Sequence, residues 1–178
     1  MASWLGRAAA EITFEVDPRG RPLLSGESAA GGTQFNVSHS GDWALIGLAR
    51  RRRIGVDLET IRAIPELLSI AEGNFTEPER RALAAVEGEA RARFFHWLWT
   101  RKEACLKAEG SGLSGGLDRF EVLRGEPEVP MQFQAVTARY GDACPLWVGT
   151  PAARPEFVAS VAFEGNLVTP QVRLLGLP

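Results

Sequence analysis

A helical block stands between two strand-rich stretches, and that order limits the fold more than any other feature of the chain. Thr76-Glu-Pro-Glu79 is a helix start: Thr76 can cap, Glu79 can reach back to close a capping box, and Pro78 is tolerated in the first turn. A longer helix is predicted from Glu89 to Glu109, stopped by Gly110 at the C′ position. Its apolar residues Phe94, Phe95, Leu98, Cys105 and Leu106 follow helical spacing loosely. Upstream, Ile12 to Val16 alternates like a short strand, and turn chemistry and a small-residue loop over 25–33 follow it. Phe35 to Val37 reads as a short strand, Trp43 to Ala49 as a buried strand and Arg50 to Arg53 as a basic turn. Ile54 to Leu58 reads as the strand returning to complete a hairpin. Downstream, Phe120 to Leu123, Met131 to Ala135, Leu146 to Val148 and Phe157 to Phe163 read as strands. Hairpin, helices, then strands implies an α+β fold rather than alternating βα units. The segments WALIGLA (43–49) and FVASVAF (157–163) each follow a polar turn at similar places in the two halves, as in a pseudo-duplicated architecture.

The chain has 178 residues, enough for one substantial core or two small subdomains. A net charge of −2 argues against a polycationic nucleic-acid binder, and the run Arg50 to Arg53, without interleaved aromatics, reads as a solvated turn. Cys105 and Cys144 are too few for a disulfide scaffold and lack metal-ligand spacing, which points to a reducing compartment. The N-terminus lacks the apolar core of a signal peptide, and no apolar run approaches the ~20 residues of a membrane span. The expectation is a cytoplasmic protein with no membrane and no nucleic-acid partner.

Candidate chemistry is sparse. Asp57 and Glu59 lie two apart at a strand end, so both carboxylates share one face with Cα atoms about 6.6 Å apart. The pair suits a hard cation, and reads equally as a solvated strand end. Glu103 and Lys107 are spaced for a helical ion pair, and Trp99 continues their stripe. Of 20 basic Lys and Arg residues only two are lysines, Lys102 and Lys107, both in this segment. His39 lies in SHSG between Ser38 and Ser40, where hydroxyls, backbone donors and an imidazole can meet a phosphate. His96 has no Cys or His nearby and reads as helix surface or packing.

These signals occur in one order: FNVSHSG (35–41), IGVDLE (54–59), FTEPE (75–79) and WTRKEACLKAEGSGLS (99–114). The series resembles the Sfp-type 4'-phosphopantetheinyl transferases, with looser similarity at Gly20 to Pro22 and at FVASVAF. The resemblance implies two similar α/β subdomains packed as a pseudo-dimer, here 1–60 and 61–178, the first of them short. It implies transfer of 4'-phosphopantetheine from coenzyme A to a serine of an acyl or peptidyl carrier protein, with release of 3',5'-ADP. Asp57, Glu59 and Glu103 would hold Mg²⁺, with Mn²⁺ the alternative ion. Lys107, Ser38 and His39 would contact coenzyme A phosphates, Arg21 would lie near the adenosine end, and Glu103 and Lys107 would be catalytic. Members of this type usually carry a longer stretch before the strand at Ile12, so an open apolar face, and with it self-association of an otherwise monomeric chain, is expected. The alternatives are a relative that binds coenzyme A or a carrier without turnover, and an unrelated Mg²⁺-dependent phosphate-cleaving enzyme.

Overall fold

The computed structural model describes residues 1–18, 20–26, 32–110, 116–127, 129–138, 146–151 and 154–171. The GLS segment at 112–114 and Cys144 lie outside the described residues. The fold is α+β. A short helix α1 (Ala2–Leu5) precedes β1 (Phe14–Val16) and β2 (Pro22–Leu24), which pair with each other. Then follow β3 (Thr33–Ser40), β4 (Trp43–Arg50) and β5 (Ile54–Thr60). Helices α2 (Leu67–Asn74), α3 (Glu77–Ala85) and α4 (Gly88–Glu109) form the middle block. The remainder holds β6 (Phe120–Glu121), β7 (Phe133–Ala135), β8 (Thr137–Ala138), β9 (Leu146–Gly149) and β10 (Phe157–Glu164).

One expected pairing is wrong. β4 pairs antiparallel with β3 across the Gly41-Asp42 turn, and β5 pairs instead with β10, in a four-stranded sheet of order β5-β10-β9-β7. The reason lies in β5, whose residues Ile54 to Leu58 are all buried, so it needs cover on both faces. Gly55 faces α4: a Cβ there would lie 2.1 Å from the Ala104 carbonyl oxygen and 2.3 Å from the Ala108 nitrogen. Val56 and Ile54 face the other way, against Gly47 of β4. Strand β5 is therefore clamped between the helix and the hairpin. Its odd positions, 55, 57 and 59, share the helix-facing side.

The edge of β5 away from β10 is satisfied by side chains. Val56 N–H donates to Asn36 Oδ1 (2.8 Å), Leu58 N–H to Ser38 Oγ (3.2 Å) and Thr60 N–H to Ser40 Oγ (3.1 Å). Alternate residues of β3 thus replace a backbone ladder, which fixes Ser38 and Ser40 against β5 and turns Val37 and His39 outward.

Helix α4 ends where expected, with Gly110 left-handed at φ 80°. Its rotation is fixed by a fully buried ion pair, Lys102 Nζ to Glu79 Oε2 at 2.7 Å. Lys102 also donates to the carbonyls of Leu117 and Phe120, and Glu79 accepts N–H groups from Thr76 and Val122. Burial alone pulls the Lys102 pKa down, and these partners are what make its charge tolerable there. The lock joins α3, α4 and the segment around β6. Arg53 is similarly committed, to Glu164 and to the Glu109 carbonyl at the end of α4, and Arg52 donates to Asn166. On the outside, Phe14, Val16 and Ile46 are 53%, 68% and 52% exposed.

Candidate active site

Helix α4 runs antiparallel along the odd face of β5. Ala104 and Ala108 touch Gly55, Lys107 reaches Asp57, and His96 and Trp99 line a cavity with Glu59. The lengths agree: four strand residues and nine helix residues each span about 13 Å. The sequence expectation of a Glu103–Lys107 pair on a solvated helix face is not what forms. Lys107 Nζ instead bonds Asp57 Oδ1 at 2.6 Å. Ser38 Oγ donates to the same oxygen at 2.9 Å and lies 3.4 Å from Lys107 Nζ.

Asp57 Oδ2 is buried and has no hydrogen-bond partner among the described residues. Burial raises the Asp57 pKa above the ordinary carboxylate range; Lys107 and Ser38 oppose the rise and Glu59 adds to it. Glu103 is likewise raised, first by burial and then by the neighbouring charges of Asp57 and Glu59, against Lys107. The three carboxyls therefore lie within electrostatic reach of one another, and Lys107 lies beside Asp57 and within reach of Glu103. Among the described residues no group of three or more His, Cys, Asp or Glu side chains is arranged to hold a metal ion. Glu59 Oε2 accepts from Ser40 Oγ at 2.9 Å.

The structure thus brings together Ser38, Asp57, Glu59, Glu103 and Lys107. His39 lies on the opposite face of the β3–β4 ribbon, exposed, beside Ala44. Arg21 is at the far end of β5: its backbone N–H bonds Asp17 and its guanidinium donates to the Ile54 carbonyl at 3.3 Å, near Gly110. Burial, aided by Arg53, lowers its pKa. Burial pushes the Cys105 thiol up to about 12, which removes it as a nucleophile. Two features escaped sequence reasoning. Asn36 and Ser40 hold β5 by side chains, which no local pattern announces. His96 is buried and lines the cavity, although the stripe of Trp99, Glu103 and Lys107 extends back to it by one further step of three.

The 4'-phosphopantetheinyl transferase superfamily matches residues 53–144, which covers β5, the helices and the start of the later strands. Over 167 residues the chain is 32% identical to the 4'-phosphopantetheinyl transferase ffp of Bacillus subtilis, covering 89% of this chain and 72% of that one. It is 34% identical to 4'-phosphopantetheinyl transferase HetI of Nostoc sp. over 78% of this chain and 57% of the relative. The figures for 4'-phosphopantetheinyl transferase Sfp of Bacillus subtilis are 35%, 63% and 47%. The chain spans about half the length of HetI and Sfp. With the clamped β5, the carboxyl cluster and α4 all inside or beside the matched segment, the chain belongs to the 4'-phosphopantetheinyl transferase superfamily.

Proposed function

We propose that the chain transfers the 4'-phosphopantetheine group of coenzyme A to a serine of a carrier protein. The observation that carries this reading is the grouping of Asp57, Glu59 and Glu103, with Lys107 bonded to Asp57, at the contact of β5 with α4. A divalent cation, Mg²⁺ with Mn²⁺ the alternative, suits the chemistry of these oxygen donors. Asp57 Oδ2 is a buried acceptor without a partner among the described residues, and three mutually repelling carboxyls call for a positive neighbour. Asp57, Glu59 and Glu103 would hold it, and when bound it supplies charge neutralisation at the pyrophosphate.

The side chains divide the remaining work. Lys107 offers an ammonium to phosphate oxygens, and Ser38, already bonded to Asp57 and Leu58, positions the carboxylate and the ammonium. Glu103, with its raised pKa, is the base for the serine hydroxyl. The serine oxygen bonds to the phosphorus next to the pantetheine, the bond to 3',5'-ADP breaks, and the leaving oxygen keeps the electron pair while Glu103 takes the proton. His39, exposed and without a hydrogen bond among the described residues, is assigned to a coenzyme A phosphate, and Arg21 to its adenosine end. The division into subdomains at residue 60 and a cytoplasmic monomer as the working unit belong to the same reading. No helix among the described residues is long and apolar enough to cross a membrane.

Chromatographic assay of 3',5'-ADP separates the alternatives. A transferase releases it from coenzyme A only when an apo carrier is present, a phosphate-cleaving enzyme releases it without a carrier, and a binding relative releases none.

A further inference from the structure

Resting on that reading, we infer that His96 sets donor specificity by accepting a hydrogen bond from the uncharged pantetheine arm of coenzyme A. A cavity of about 410 Å³ opens beside the carboxyl cluster, with Glu59 and Arg62 on one side and Ile64, Ile70, Trp99 and His96 among its walls. Its walls are mainly aliphatic and aromatic, with few polar groups, as in sites for small uncharged ligands. In the proposed site the pyrophosphate would lie by Lys107 and the cation that Asp57, Glu59 and Glu103 would hold, next to this cavity. Of the two groups that the pyrophosphate joins, the nucleotide is charged and the arm is not, so the arm is the chemical match for this cavity. That arm carries amide N–H and hydroxyl donors.

The ring of His96 is set up to receive one of them. Its Nδ1 lies 2.7 Å from the Ala92 carbonyl oxygen, one turn back on α4. A carbonyl only accepts, so Nδ1 carries the proton, and in the neutral ring Nε2 is an acceptor. The side chain is 3% exposed, and no described residue bonds Nε2. Since Nδ1 is spent on the helix backbone, Nε2 is the polar atom this ring can offer to the cavity. Glu59 Oε2, the neighbouring acceptor, is already engaged by Ser40.

The test uses the full chain with Mg²⁺ and measures dissociation constants of coenzyme A and of 3',5'-ADP, which lacks the arm, by calorimetry. His96→Phe keeps a ring and removes Nε2. It is expected to weaken coenzyme A by about 2- to 12-fold, the range for one net hydrogen bond, and to leave 3',5'-ADP unchanged. His96→Gln restores an acceptor and should recover most of the loss. The inference is overturned by a Phe variant that binds coenzyme A like the parent or loses both ligands equally, and by a Gln variant as weak as Phe. A parent that binds both ligands with equal affinity leaves the transferase reading standing and removes the arm from this cavity. A parent that binds neither ligand sinks both.

Discussion

Gly55→Ala puts one methyl group where the backbone of α4 already sits. The added carbon would lie 2.1 Å from the Ala104 oxygen, 2.3 Å from the Ala108 nitrogen and 2.9 Å from the Lys107 carbonyl carbon, and separations under 3.0 Å are essentially never seen for a real Cβ. All three neighbours are backbone, so no side chain can swing away. Relief requires helix and strand to part by about 1 Å or more, toward the 3.5–4.0 Å of ordinary contact. The lock of Lys102 on Glu79 resists that movement on the far side of α4. Overpacking of this kind costs about 3 kcal/mol, which for a chain of this size lowers the thermal midpoint by roughly 6–12 °C. The same displacement carries Lys107 away from Asp57, so carrier modification should fall in the fraction that remains folded. Thermal unfolding by circular dichroism reads the first effect and carrier labelling the second. An alanine variant as stable as the parent would refute the close approach of α4 to β5, and with it the placement of every site residue on the two elements.

The remaining predictions concern the charges. Lys107→Ala removes the cationic partner of a buried carboxylate, leaving Ser38 as its donor, and should cost about 1–3 kcal/mol in urea unfolding, not the few tenths expected of a pair on a solvated helix. Lys107→Arg keeps the charge but changes its shape and reach, and most transfer activity should be lost; activity equal to the parent would show that charge alone suffices. Lys102→Met leaves Glu79 buried without its cation and should cost about 3–5 kcal/mol, read from the urea midpoint. Glu103 has a raised pKa when folded, so its proton favours the folded state: the contribution is fully present below the unfolded carboxyl pKa and is lost as pH rises through the raised folded value. In metal-free buffer Glu103→Gln should therefore melt higher than the parent at pH 8, and the gap should close toward pH 4; an equal gap at both pH values would count against the carboxyl cluster.

Much of the site was legible because it follows period. Asp57 and Glu59 share a face since strands alternate, and Trp99, Glu103 and Lys107 share a stripe since helices repeat near four. The end of α4 was legible from Gly110, which takes the left-handed conformation that few other residues accept. What local pattern could not carry was partner choice. The helical spacing of Glu103 and Lys107 suggested a pair, yet Lys107 goes to Asp57, fifty positions away, because β5 is drawn against the helix by Gly55. The basic turn before β5 suggested a hairpin with β4, yet the fully buried character of β5 sends it to β10 and leaves β3 to hold its other edge by side chains. His96 lacked any nearby ligand-type residue in sequence; only the cavity against Glu59 gives it a role.

On the reading proposed above, this chain carries out transfer through Asp57, Glu59, Glu103 and Lys107. Intact-mass measurement of an apo carrier protein after incubation with the chain, coenzyme A and Mg²⁺ tests it directly. The expected result is a gain of one phosphopantetheine per carrier, absent when Mg²⁺ is chelated and absent with Glu103→Ala. A carrier of unchanged mass with the folded parent chain, or the same gain with Glu103→Ala, would contradict it.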